Sequence, residues 1–290
     1  MEKYDYSIKS PLRYPGGKSR ALKRIIPLIP DYEEFREPMV GGGSVFFALK
    51  QTFPNKKYWI NDINTDLYLF WKYCKENPKN LIREIKKLKT TYSSGRELHK
   101  ELSINADKFK GIRRAARFFI LNRITFSGLT ESGGYSEEAY KKRFTESSIK
   151  RIRSASKVLK NVKITNLDYL PVIKMRGKNA FIFLDPPYVS VKAKLYGKKG
   201  DLQSNFDHAQ FAVDIKHSKH KWLITYDNCT SVQELFRFKK SFGLKIKEWK
   251  LRYGTNNSKS GEARIGRELF ILNYKISPFK QNKKLYSNRE

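Results

Sequence analysis

The stretch that most constrains the fold is "AFIFLDPPY", residues 180–188. Five consecutive apolar residues suit a strand buried on both faces, as in a parallel sheet covered by helices. Two prolines then end it at once, because neither offers an N–H to a strand ladder. The chain leaves the sheet abruptly and holds Asp185 and Tyr188 at the carboxyl edge of the strand. In open α/β sheets that edge is where ligands bind. An Asp-Pro pair is also an ordinary strand-ending turn, so the rest of the chain has to decide.

Further strands are predicted at Phe35–Met39, Lys57–Ile60, Val162–Thr165, Lys221–Tyr226, Leu244–Arg252 and Glu268–Tyr274. Helices are predicted from Val45 to Lys50 and near 208–217 and 231–240, alternating with the strands. Such alternation predicts an α/β fold with a mostly parallel, doubly wound sheet. From about Leu67 to Thr125 the apolar residues recur at three-to-four spacing, which predicts helices, as does the segment 147–159. Residues 127–146 are rich in Ser, Gly and charge and read as a loop or short hairpin. The helical middle therefore interrupts the sheet. The expected division is a discontinuous α/β domain over 1–75 and 155–278, an inserted domain over 76–154, and a poorly ordered basic tail over 279–290.

Lys and Arg number 60 against 28 Asp and Glu, a formal charge of +32. Self-repulsion of that size destabilises a compact chain unless a polyanion neutralises it, and nucleic acid is the commonest such partner. Cys74 and Cys229 are far apart and form neither a disulfide framework nor a metal cluster, and four histidines leave few zinc ligands. No metal site is expected. The first 25 residues are charged throughout, and no run approaches the length of a membrane span. A soluble, cytoplasmic protein is expected, with no membrane partner.

"EPMVGGGS", residues 37–44, places three glycines between a strand and a helix. Glycine lets backbone N–H groups approach a ligand, and the helix start favours anionic groups. The pattern is neither G-x-G-x-x-G nor a P-loop. Asp62 follows 20 residues after Gly42, at the end of the next strand, where nucleoside-binding α/β folds place a carboxylate against ribose hydroxyls. Earlier, Arg13, Tyr14 and Lys18 bracket a Pro-Gly-Gly turn in "PLRYPGGKS".

"RYPGGK", "REPMVGGGSVFF", "NDIN" and "DPPY", in that order, resemble the Dam-like DNA adenine-N6 methyltransferases of the D12 class, alpha group. "LNRITFSGL", "GGYS", "FDH" and "ELFILNY" also resemble this family, and the likeness spans roughly residues 10–275. It implies a Rossmann-like, S-adenosylmethionine-dependent methyltransferase fold with an inserted, mainly helical DNA-recognition domain. The implied substrate is double-stranded DNA, methylated at N6 of a flipped adenine in a short motif. A monomer is the default expectation.

The resemblance implies a catalytic motif of Asp185, Pro186, Pro187 and Tyr188, in which Asp185 and the Pro186 carbonyl accept the N6 hydrogens and Tyr188 stacks on the base. It implies that Tyr14, Lys18, Glu37, Gly41, Gly42, Gly43, Asp62, Asp168 and Asp185 surround the cofactor. Candidate DNA contacts are Arg13, Asn122, Arg123, Ser132, Tyr135, Lys141, Lys142 and Arg143. Thr130, Glu131 and Ser132 stand where GATC enzymes carry an Arg/Asn-rich pattern, so this chain departs from the family there. Cytosine-N4 methylation, RNA adenine methylation and a non-catalytic DNA-binding role are the competing readings. Asp rather than Ser in DPPY favours adenine, and the completeness of the motifs favours catalysis.

Overall fold

The computed structural model describes residues 7–130, 133–189, 205–236, 244–252 and 265–276. Seven strands form one sheet: β1 (Glu34–Glu37), β2 (Lys57–Asn61), β3 (Val162–Thr165), β4 (Ala180–Leu184), β5 (Lys221–Asp227), β6 (Lys245–Arg252) and β7 (Ile265–Leu272). Their order is β3-β2-β1-β4-β5-β7-β6. The pairs from β3 to β5 are parallel. β7 is antiparallel to β5, and β6 to β7. The order reverses between β1 and β4, and a crevice opens where connections leave such a switch point in opposite directions.

All five residues of β4 are buried. Their alternation along the pleat divides them between two cores. Phe181 and Phe183 join Phe35, Leu223 and Phe270 on one face, whereas Ile182 and Leu184 join Ile224, Tyr226 and Ile271 on the other. The first core runs without a break into the helices α2 (Ser44–Thr52), α3 (Thr65–Glu76), α4 (Pro78–Thr91), α5 (Gly95–Ile104), α6 (Gly111–Ile124) and α8 (Glu146–Val158). Helix α1 (Leu22–Ile25) adds Leu22 and Ile25 to it. The second core is closed by α9 (Tyr169–Lys174), α10 (His208–Lys216) and α11 (Thr230–Leu235). Among the described residues no helix is long and apolar enough to cross a membrane.

The segment 127–146, read from sequence as a loop or hairpin, instead contains helix α7 (Glu137–Arg143). Ser136 caps it by accepting the Ala139 N–H, with Glu137 and Glu138 in the first turn and Lys141, Lys142 and Arg143 in the last. Acid at the start and base at the end complement the helix dipole, so residues counted as loop-like polarity are helix-end chemistry. One antiparallel bridge, Thr125 with Tyr135, is all that resembles a hairpin there among the described residues. Helix α9 was not foreseen, because six residues between two strands leave too short a period to read. The basic tail lies outside the described residues, as does the end of the 231–240 segment.

Candidate active site

Three strand ends of the switch point bring the motifs together. Glu37 ends β1, Asp62 follows β2, and Asp185 follows β4. They line one cavity of about 480 Å³ with Tyr14, Lys18, Gly41–Gly43 and Asp168, a size suited to a nucleoside-sized ligand.

The glycine loop is shaped by close approach. Gly41 and Gly43 have φ of +47° and +67°, conformations that a side chain resists. A Cβ on Gly41 would lie 2.7 Å from the Tyr14 ring, and one on Gly42 would lie 2.8 Å from the Tyr14 Cβ. Gly43 begins α2 without a side chain to cap it. Glu37 does that from across the loop, its Oε2 accepting the Phe46 N–H at 3.0 Å. Burial and the neighbouring Asp185 raise the Glu37 carboxyl well above the usual range.

Asp62 faces the loop from β2. Its Oδ2 accepts the Gly41 N–H at 3.0 Å and its Oδ1 the Asn64 N–H at 3.0 Å. Burial pushes it up to about 6 in spite of these bonds. Asn61, buried beside it, donates to the Pro38 and Leu167 carbonyls, each at 2.9 Å. Asn166 donates to the Asp62 and Ile63 carbonyls at 2.8 and 2.9 Å. The Asp168 loop is thereby locked to the Asp62 loop, and Asp168 itself caps α9 by accepting the Leu170 N–H at 2.8 Å.

Asp185 is held from two sides. Lys18, only 5% exposed, places its Nζ 2.7 Å from each carboxylate oxygen. Thr225 donates to Oδ1 at 2.7 Å from the neighbouring strand. Lys18 Nζ also sits 4.9 Å from the centroid of the Tyr188 ring, which is backed by Tyr226 at 6.3 Å between centroids. Pro186 is buried and Pro187 lines the cavity.

Six carboxylates line this cavity (Glu37, Asp62, Asp168, Asp185, Asp207 and Asp214) against a single described cation, Lys18. In a chain of charge +32 that is a local inversion of sign. The site suits a ligand carrying positive charge and hydroxyl donors.

The structure thus gathers every residue read as cofactor-binding. Sequence reasoning missed Thr225, Asn61, Asn166 and the pair Ile63 and Leu167, exposed at the cavity wall. The signal for Thr225 was slight: one threonine in the strand "LITYD". The β4–β5 register, ending at Leu184 opposite Ile224, is what sets it beside Asp185.

The DNA candidates divide. Lys141, Lys142 and Arg143 are exposed at the end of α7, and Arg13 is half-buried. Tyr135 packs against the first core, donates to Glu137 at 2.5 Å and lies under Arg96. Asn122 and Arg123 do not face outward: both are buried in α6, a correction to their reading as DNA contacts. Residues 115–124 of α6 are buried without a break, so both side chains find partners inside: Arg123 donates to the Pro11 carbonyl and Asn122 to the Arg13 and Gly128 carbonyls. Ser132 lies outside the described residues.

Residues 14–254 match the family model described as D12 class N6 adenine-specific DNA methyltransferase. The chain is 32% identical over 203 residues to the type II methyltransferase M.MjaIII of Methanocaldococcus jannaschii, covering 62% of this chain and 69% of that one. It is 30% identical over 205 residues to the type II methyltransferase M1.LlaDCHI of Lactococcus lactis subsp. cremoris, covering 65% and 69%. To the DNA adenine methylase of Vibrio cholerae serotype O1 it is 26% identical over 238 residues, covering 78% and 84%.

Proposed function

The chain belongs to the D12 class of N6 adenine-specific DNA methyltransferases, and on that premise we propose how its own residues divide the reaction. The activity is transfer of a methyl group from S-adenosylmethionine to adenine N6 in DNA. When bound, the cofactor supplies an electrophilic methyl on a positively charged sulfur. The acidic cavity fits it: Asp62 would accept the ribose hydroxyls, Ile63 and Leu167 would flank the adenine ring, and Asp168 would meet its polar edge. The glycine loop leaves room for the methionine part beside Glu37, and Tyr14 closes that wall.

The observation that carries the catalytic assignment is Asp185, fixed by Lys18 and Thr225 at the mouth of that cavity. Adenine N6 is a poor nucleophile because its lone pair is delocalised into the ring. Asp185 and the Pro186 carbonyl would each accept one N6 hydrogen and draw the nitrogen toward tetrahedral geometry, freeing the pair. N6 would then attack the methyl carbon as the bond from that carbon to sulfur breaks. Asp185 would take the proton that N6 sheds. Positioning supplies the remaining rate enhancement. Tyr188, supported by Lys18 and Tyr226, would stack on an adenine turned out of the duplex.

The inserted helices would read the site, with Arg13, Tyr135, Lys141, Lys142 and Arg143 on the DNA. Action as a monomer on double-stranded DNA in the cytoplasm completes this reading. Modified-base sequencing of DNA from a methylation-free host is the test. N6-methyladenine in one short motif is expected from the native chain and none from Asp185→Ala. Methylation by the variant at the native level would refute the role of Asp185, and an unmodified genome in both would refute DNA as the substrate.

A further inference from the structure

Asn122 has no exposed surface, and its amide side chain spans 109 residues of sequence. Its Oδ1 accepts the Arg13 N–H at 2.9 Å, and its Nδ2 donates to the Arg13 carbonyl at 2.5 Å and to the Gly128 carbonyl at 3.1 Å. One amide therefore joins three points: helix α6, the turn over 126–128 that follows it, and the loop that carries Tyr14. The turn is pressed on that loop. Gly128 has φ of +79°, and a Cβ there would lie 2.6 Å from the Arg13 carbonyl oxygen. Ser127 beside it is also left-handed, at φ 54°.

The two ends of this joint face different places. Outward, the turn exposes Phe126 and is bridged through Thr125 to Tyr135. Inward, the residue after Arg13 is Tyr14, whose ring covers Gly41 and Gly42. Gly41 in turn donates its N–H to Asp62. A shift of the turn away from the loop would break either the bond to Gly128 or the two to Arg13 and leave polar groups of the buried Asn122 amide without a partner, so turn and loop move as one body.

We propose that Asn122 is a positioning residue that couples the two substrates. DNA seated against the 126–128 turn holds the Arg13–Tyr14 loop on the glycine loop, and the cofactor seated there holds the turn for DNA. The inference rests on the reading that the acidic cavity takes the cofactor and the insertion takes DNA. Coupling of this kind is reciprocal, so each ligand raises affinity for the other by the same factor.

Equilibrium dialysis of labelled S-adenosylhomocysteine, with and without saturating unmethylated plasmid DNA, measures that factor. In the native chain DNA is expected to tighten binding by about tenfold, within the usual range for coupled sites. In Asn122→Ala the factor falls to near one, while the melting transition stays cooperative and each ligand still binds alone. Gly128→Ala, which forces the turn off Arg13 with Asn122 intact, gives the same loss. Lys219→Ala, exposed between α10 and β5 and apart from both the joint and the residues assigned to DNA, keeps the native factor. Asn122→Ser, which retains one partner for the Arg13 N–H, stands in should the alanine variant not fold. A native factor that persists in the folded Asn122 variant overturns the proposal, as does native chain that binds both ligands independently. Native chain that binds neither ligand overturns the functional reading and this inference with it.

Discussion

Asp185 is surrounded by residues whose roles separate on mutation. Thr225 holds one carboxylate oxygen from a fully buried position on β5. Thr225→Val keeps the shape and removes the hydroxyl, so Asp185 gains rotational freedom. The expected result is a fall in kcat of roughly 10-fold or more, below the 10²–10⁴-fold typical of losing the proton acceptor itself, with the KM for DNA unchanged. Steady-state methylation assays give both constants. Asp62 predicts a pH dependence. Its carboxyl is raised to about 6 by burial, so it is protonated below that pH and ionised above it. A ligand that donates hydroxyls favours the ionised form. Binding of S-adenosylhomocysteine should therefore strengthen as pH rises through about 6 and level off above it. Asp62→Asn should bind weakly with that rise removed, and a rise that survives the substitution would assign the titration elsewhere.

The elements matter through where they end. β1, β2 and β4 run parallel, so each delivers its last acidic residue to the same edge. No amount of local propensity would do this without the parallel register. The loop between β1 and α2 depends on two left-handed glycines, of which Gly41 is pinned between the Tyr14 ring and Asp62. Gly41→Ala combines a left-handed alanine, about 1–2 kcal/mol of backbone strain, with a Cβ driven into the ring. Cofactor affinity is expected to fall at least tenfold while the melting temperature drops by only a few degrees. Calorimetry of binding and unfolding separates the two effects.

At the scale of the whole molecule, charge is segregated. The cavity is acidic within a chain of +32, so the cation-attracting interior and the anion-attracting exterior serve different ligands. Duplex affinity should fall by on the order of 10³ or more between roughly 50 and 200 mM salt, through counterion release. Cofactor affinity should barely change over that range, and titrations of each ligand test the contrast. Helix α6 is fastened near its other end as well. Asp66 of α3 pairs with Arg114 and, at 3.1 Å, with the buried Arg117. Asp66→Ala strands that guanidinium and is expected to cost about 3–5 kcal/mol of stability, read from denaturant unfolding.

The sequence by itself determined the strands that are apolar throughout, the parallel class of the sheet, the loops that leave it and the acidic residues at their ends. Those features are local: a run of one hydropathy, a pair of prolines or glycines, a fixed spacing. It misjudged α7, whose capping and dipole charges mimic a loop, and it turned Asn122 and Arg123 outward. Burial is decided by what packs against a helix face, and a polar side chain gives no sign of the distant carbonyl that will accept its hydrogen. Only the tertiary structure set Thr225 beside Asp185, locked Asn166 to the Asp62 loop and joined Asn122 to Arg13. Each of those contacts spans from 40 to more than 100 residues of chain, a separation that only the strand order and the packing of the helices could close.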